Sequence, residues 1–152
     1  MRADEYLAQV RILDVRINNK IKEMQRVMDL ATKITASMSG MPRPSGVSDK
    51  VGEAAVRLSH LSAELDRITD ELIDTRADVV KLIETLPPDE YAVLHAVYVQ
   101  GQTVEEVADA WIPGPRTPRQ IYRIKARAMR RVQSILDVCE AEGISKQGQN
   151  FL

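Results

Sequence analysis

The sequence has few of the residues that build disulfides, metal sites and catalytic centres. It contains one cysteine, Cys139, and two histidines, His60 and His95, in 152 residues. A lone cysteine excludes an intrachain disulfide, and the three residues have no metal-ligand spacing. No nucleophile, base and orienting group stand in a recognisable arrangement, and no glycine-rich phosphate loop is present. We therefore expect no enzyme, no catalytic residues and no bound metal or cofactor.

Long apolar runs and aromatic residues are also scarce. No apolar run reaches the roughly 18 residues of a membrane-spanning helix, and the opening residues Met1 to Glu5 lack the apolar core of a signal peptide. Aromatic residues make up 4% of the chain, so the core must be aliphatic. We expect a cytoplasmic protein with no membrane partner.

Acidic residues are missing between Ala110 and Leu136, a segment with seven basic residues. The formal net charge of −1 hides this imbalance, because the rest of the chain is slightly acidic. A local excess of positive charge is typical of a nucleic-acid-binding surface. A solvated basic helix is the alternative interpretation.

Two helix-start signals lie in and just before this segment. Residues 103–106 read Thr-Val-Glu-Glu and residues 117–120 read Thr-Pro-Arg-Gln. In each, the threonine oxygen can accept the backbone N–H three residues on, while the Glu or Gln side chain returns to the threonine N–H. Pro118 occupies the first helical position, where its missing N–H costs nothing. The signals predict a short helix through Trp111, a turn, and a second helix from Pro118.

The second helix is predicted to have an apolar and a basic side. Steps of three and four separate the apolar residues Ile121, Ile124, Ala128, Val132 and Ile135. At about 100° per residue, the opposite side gathers Arg116, Arg119, Arg123, Arg127 and Arg130. Like charges at i and i+4 cost roughly 0.2–0.5 kcal/mol per pair, which an anionic partner removes. Arginine forks match phosphate and guanine, and Gln120 can pair with adenine, so duplex DNA is the predicted partner.

The first half of the chain carries two heptad patterns. The first comprises Tyr6, Val10, Leu13, Ile17, Lys20, Met24, Val27, Ala31, Ile34 and Met38; the second comprises Val51, Ala54, Leu58, Leu61, Leu65, Ile68, Leu72, Thr75, Val79, Leu82 and Leu86. The glycines and prolines of residues 39–47 separate them. We predict a long antiparallel hairpin, or coiled coil. Leu7, Ile21 and Met28 widen its apolar stripe, so either a second copy or the DNA-binding module covers it.

Pro87 and Pro88 end the second long helix and start a third, which carries Leu94 inward and stops before Gly101, a residue suited to a left-handed cap. Three parts follow. Residues 1–86 form the hairpin, residues 87–141 form a three-helix module of the helix-turn-helix type, and residues 142–152 form a flexible tail. The predicted fold class is all-α.

The second half of the chain resembles region four of bacterial sigma factors. The matching residues are Leu86-Pro87, Leu94, Tyr98, Gly101, Thr103, Glu-Glu-Val-Ala at 105–108, Thr117, Ile121, Ile124 and Ala-Arg-Ala-Met-Arg-Arg-Val at 126–132. With its hairpin segments 30–36 and 48–52, the whole chain is similar to small sigma-like regulators of late genes from phages and prophages of Gram-positive bacteria.

The resemblance implies recognition of a promoter-like element by the second helix of the helix-turn-helix, with RNA polymerase as a further partner. Carried over by position, the base-facing residues are Pro118, Arg119, Tyr122 and Arg123, with Thr117 and Arg127 nearer phosphates. Arg116, Gln120 and Arg130 complete the predicted DNA-binding set. Pro118 departs from the family, where this position is usually basic, and the turn at residues 111–116 is longer than usual.

Two alternatives keep this fold and change its function. A small subunit of a phage DNA-packaging machine also joins a helix-turn-helix to an oligomerising helical segment. A protein adaptor would bind polymerase through the hairpin without reading DNA, with Lys20 as a specificity residue. The plain interpretation of the hairpin is a scaffold, with Lys20 at the edge of the helix contact. Separately, the widened stripe favours a homodimer through the hairpin.

Overall fold

The computed structural model describes residues 1–36 and 47–143, which form helices and the turns between them, with no strand. The helices are α1 (Ala3–Ala36), α2 (Val47–Ile83), α3 (Pro88–Leu94), α4 (Val104–Asp109) and α5 (Pro118–Ala141), and α3 continues into a π-helical turn (His95–Val99). The predicted all-α class is confirmed. No helix in the described ranges is long and apolar enough to cross a bilayer.

Two sequence predictions fall mainly on other residues. The predicted turn at 39–47 lies outside the described residues except for its last residue, and the predicted tail at 142–152 lies outside them except for its first two. The described chain divides into two compact units. One contains Ile12–Asp74, and the other contains Met1–Arg11 with the chain from Thr75 onward.

The unit of residues 12–74 is an antiparallel pair of helix segments. Lys20 Nζ lies 2.6 Å from Glu64 Oε2, and Glu23 Oε1 lies 3.1 Å from Arg57 Nη2. As α1 advances from 20 to 23, its partners on α2 run back from 64 to 57, so the two segments are antiparallel. Within this unit the heptad residues Leu13, Val27, Leu61 and Ile68 are buried, and Ile17, Met24, Ala31, Ala54, Leu58, Leu65 and Leu72 are half-buried.

Two predicted features of this unit need correction or refinement. Val51, placed on the heptad stripe, is exposed at 40%, and Ile21 and Met28 are exposed as well. Lys20 is half-buried at the edge of the helix contact and pairs with Glu64, which agrees with the scaffold interpretation.

In the second unit, α2 ends earlier than predicted. The α-helix stops at Ile83, and backbone bonds from Thr85 to Leu82 and from Leu86 to Ile83 tighten its last turn. Such i to i+3 bonds satisfy carbonyl groups that lose their partners at a helix end. Leu86 still packs inward, at 8% exposed, so the heptad pattern continues past the regular helix.

The third predicted helix has an unpredicted π-helical end. Gln100 N–H donates to the His95 carbonyl, and Gln102 N–H donates to that of Ala96. Gly101 between them has φ +73°, so its predicted left-handed cap is confirmed. His95 is half-buried, with the centre of its ring 5.4 Å from that of Tyr91.

The start of α1 belongs to the same unit as α5. Ala3 N–H donates to Gln133 Oε1 at 2.8 Å, and the Met1 ammonium lies 2.6 Å from Glu140 Oε1. Leu7, one of the residues that widened the apolar stripe, is completely buried in this unit. Residues of the same chain therefore cover Leu7, whereas Ile21 and Met28 remain exposed.

Candidate nucleic-acid interface

Both predicted capping boxes are present. Glu106 N–H donates to Thr103 Oγ1 at 3.2 Å, and Thr103 N–H donates to Glu106 Oε2 at 2.9 Å. At the second box, Gln120 N–H donates to Thr117 Oγ1 at 3.4 Å, and Thr117 N–H donates to Gln120 Oε1 at 3.0 Å. Each box satisfies two backbone donors that a helix start otherwise leaves unpaired, so the starts of α4 and α5 are fixed by local sequence.

Two contacts of Arg116 hold the turn between α4 and α5 in place. The regular part of α4 ends at Asp109, two residues before the predicted end at Trp111. Arg116 N–H then donates to the Ala108 carbonyl at 2.9 Å, which closes the turn against the end of α4. The Arg116 guanidinium carbon lies 5.0 Å from the centre of the Trp111 ring, within the range of a cation–π contact.

One face of α5 is buried against the helices before it. Its core cluster joins Val93 and Ala96 of the third helix, Val104, Val107 and Ala108 of α4, and Ile121 and Ile124 of α5. Trp111 is half-buried and packs on this cluster. Farther along α5 the sequence prediction is wrong in one place: Leu136 is buried at 4%, while Ile135 is only half-buried. Successive steps of four turn the buried face by about 40° each, which brings Leu136 inward.

All nine predicted DNA-binding residues lie on exposed positions of the turn and of α5: Arg116, Thr117, Pro118, Arg119, Gln120, Tyr122, Arg123, Arg127 and Arg130. Among the described side chains, no carboxylate forms an ion pair with Arg119, Arg123 or Arg130. Tyr122 is 51% exposed on the same side of the helix. Three unpaired guanidinium groups and an exposed aromatic ring therefore share one face.

The remaining predicted residues already have contacts inside the chain. Thr117 and Gln120 form the capping box, so Gln120 would have to leave that box to present its carboxamide oxygen to adenine. Arg116 stacks on Trp111. Pro118 is the first residue of α5 and has no N–H to donate.

Arg127 differs most from its predicted environment. Its Nη2 lies 3.0 Å from Asp89 Oδ2, and its Nε lies 3.2 Å from Glu90 Oε1. The side chain is still 52% exposed. The predicted phosphate contact of Arg127 therefore competes with two carboxylates of α3.

Basic residues also line both edges of the buried face of α5, as expected from their positions on the helix. Lys125 Nζ lies 5.4 Å from the centre of the Tyr98 ring. On the other edge, Arg131 Nε lies 3.1 Å from Glu90 Oε2. Burial raises the pKa of Tyr98, with a smaller contribution from the negative charge of Asp4. Tyr98 therefore stays neutral beneath the lysine at physiological pH.

The described residues offer no arrangement for metal binding. No group of three His, Cys, Asp or Glu side chains is close enough to hold an ion within residues 1–36 and 47–143.

Burial lowers the pKa of His95; nearby Arg76 lowers it further, and Glu84 acts in the opposite direction. The lowered pKa favours a neutral His95 ring at pH 7.

The sequence reasoning missed Asp89 and Glu90 as partners of α5. The available signal was an acidic pair in the first turn of one helix and two arginines at i and i+4, Arg127 and Arg131, in another. Nothing in the sequence indicates that these two helices meet at those positions.

Comparison of the chain with models of protein families, with curated proteins and with solved structures gives no match in any of the three.

Proposed function

We propose that the protein is a sequence-specific, double-stranded DNA-binding regulator of transcription, with α4 and α5 acting as a helix-turn-helix and α5 as the helix that enters the major groove. The observation that carries the proposal is the outer face of α5. Arg119, Arg123 and Arg130 lie exposed there and form no ion pair with a carboxylate of the described residues, while the opposite face is buried against α3 and α4.

The physical argument is one of charge and shape. An α-helix fits the major groove of B-form DNA, and arginine there pairs with phosphates or with the O6/N7 edge of guanine. Recognition helices contact base edges mainly through their first turns. We therefore assign base contacts to Arg119, Tyr122 and Arg123, and a phosphate contact to Arg130 at the far end of the same face.

Pro118 and Gln120 have narrower roles in this proposal. Pro118 contacts bases through its ring alone, because it offers no hydrogen bond. Gln120 holds the start of α5 through its carboxamide oxygen. Thr117, whose hydroxyl caps the helix, and Arg116, which lies over Trp111, are close to the helix N-terminus, where phosphates bind favourably.

The sequence resemblance gives the proposal its narrower form, which is control of late genes in a phage or prophage with RNA polymerase as a second partner. Only the resemblance supports this narrower form, whereas the contacts of α5 support the proposal of DNA binding. Self-association through Ile21 and Met28 likewise stays a prediction.

The test is retention of labelled duplex DNA by the full chain at two salt concentrations. We expect the double variant Arg119→Ala/Arg123→Ala to bind more weakly than the wild type and to depend less on salt, because each arginine that neutralises DNA charge releases counterions. The matched control is Arg11→Ala/Arg16→Ala, which removes the same charge from exposed positions of α1. The control should bind like the wild type. Equal, salt-independent retention by all three proteins would contradict the proposal.

A further inference from the structure

Glu90 is the buried charged residue of the described chain, at 1% exposed. Its Oε1 lies 3.2 Å from Arg127 Nε and also accepts a hydrogen bond from Arg131 Nε at 3.2 Å. Its Oε2 lies 3.1 Å from the same Arg131 nitrogen, yet it has no well-directed hydrogen bond and no contact with solvent. The two arginines of α5 therefore supply the positive charge that offsets the cost of burying this carboxylate.

The arrangement makes the arginines structurally necessary. A buried carboxylate that loses a charged partner is strongly destabilising, since its desolvation is no longer compensated. Arg127 is held more firmly than Arg131, because Asp89 takes its Nη2 while Glu90 takes its Nε. Two carboxylates on one guanidinium group offset its positive charge and occupy two of its five N–H donors, which weakens its attraction for a phosphate.

The neighbouring arginines on α5 have no such partners. Arg123 lies one turn before Arg127, and Arg130 lies one turn after it, and both are exposed without ion pairs among the described side chains. The basic side of α5 is thus divided into arginines that are bound within the protein and arginines that are available to an anion.

We propose that Asp89 and Glu90 act as an internal substitute for phosphate. They keep Arg127 and Arg131 for the packing of α5 on α3, so that Arg119, Arg123 and Arg130 alone carry the charged contacts to DNA. This inference rests on the proposed function. Glu90 is a positioning residue, because it sets which face of α5 is presented and limits the number of arginines that bind DNA without regard to sequence.

The experiment measures the slope of log K against log salt concentration for the full chain on a random-sequence duplex. On a duplex without the target sequence, the base-reading arginines contact phosphates instead, because non-specific binding is electrostatic, and each lost phosphate contact reduces the magnitude of this slope by about 0.9. We expect that reduction in Arg123→Ala and no reduction in Arg127→Ala. Thermal unfolding should show the opposite order, with a lower Tm for Arg127→Ala and little change for Arg123→Ala. If Arg127→Ala does not fold, Arg127→Met is measured in its place, because methionine keeps a stem of similar length.

A second variant separates positioning from a purely structural role. Asp89→Asn/Glu90→Gln removes both negative charges, keeps the side-chain shapes and releases Arg127. We expect the magnitude of its salt slope to rise by up to about 0.9 per released arginine. A purely structural role would lower the Tm and leave the slope unchanged, which would overturn the proposal.

The outcomes also distinguish this inference from the proposed function. A wild type that binds DNA, with equal losses of slope in Arg123→Ala and Arg127→Ala, would overturn the division of the arginines alone. A wild type that shows no salt-dependent binding to duplex DNA would overturn the proposed function, and the division with it.

Discussion

At the scale of single residues, two glycines have opposite effects on stability. Gly101 has φ +73°, a conformation that side chains with a Cβ atom rarely adopt, and it ends the π-helical turn. Gly52 lies inside α2, where glycine only adds freedom to the unfolded chain. A Cβ atom added at either position meets no atom within 4 Å. Backbone conformation alone therefore separates the two sites.

We predict that Gly101→Ala lowers the free energy of unfolding by about 1–2 kcal/mol, the cost of the left-handed conformation. Gly52→Ala should raise it by roughly 0.5–1 kcal/mol, because alanine favours the helix. Urea unfolding of the two variants provides the measurement. A change of the same sign in both would show that the conformation of Gly101 is not the source of the effect.

At the scale of the elements, local sequence determines where helices start and which face they bury. The two capping boxes, the left-handed Gly101 and most of the buried face of α5 follow from residues within a few positions of each other. The departures occur where distant segments meet. The contacts Asp89–Arg127 and Ala3–Gln133 join residues that are 38 and 130 positions apart, and no local periodicity predicts such pairs. The ion pairs of Arg127 with α3 belong to this class, and its predicted position near phosphates stays a prediction.

Across the antiparallel pair of α1 and α2, Lys20 and Glu64 shift each other's titration. The hydrogen bond from Lys20 lowers the pKa of Glu64, and the same bond raises the pKa of Lys20. The contribution of Glu64 to stability is complete above its ordinary pKa of 4.5 and is lost as the pH falls through the lowered value. That of Lys20 is complete below its ordinary pKa of 10.5 and is lost as the pH rises through the raised value.

We therefore predict that Lys20→Met flattens the acid limb of the stability profile. As the pH falls below about 4.5, the wild type should lose stability more steeply than the variant, because the lowered pKa of Glu64 depends on Lys20. Lys22→Met is the control, since Lys22 is exposed and has no ion pair among the described side chains. Denaturant unfolding at several pH values measures the effect. An acid limb that is equally steep in Lys20→Met and the wild type would contradict the assignment.

At the scale of the whole molecule, the chain brings its first residues to its last described helix. The Met1 ammonium and the Ala3 amide both bind side chains of α5. Tyr6 lies in the same unit, and burial raises its pKa to about 12, with smaller contributions from the negative charges of Asp78 and Cys139. This tyrosine therefore reports whether the start of α1 is packed in place.

We predict a tyrosine that ionises near pH 12 in the folded protein. Its contribution to stability is complete below the ordinary pKa of 10.0 and is lost as the pH rises toward 12, because the unfolded chain releases this proton first. Ultraviolet titration should show this transition in the wild type and not in Tyr6→Phe. In strong denaturant the transition should return to about pH 10. An unchanged titration curve in Tyr6→Phe would show that Tyr6 is not the buried group.

Across the whole molecule, the excess of positive charge in a nearly neutral chain lies in residues 110–136, which have seven basic residues and no acidic one. The most direct measurement is selection of binding sites from random duplexes, followed by sequencing. We predict that the wild type enriches one short sequence, with a palindromic site indicating a two-fold dimer. Arg130→Ala should enrich the same sequence more weakly, whereas Arg119→Ala/Arg123→Ala should lose it. A wild-type pool that stays random, or the same enriched sequence after loss of Arg119 and Arg123, would contradict the claim that this face of α5 reads DNA.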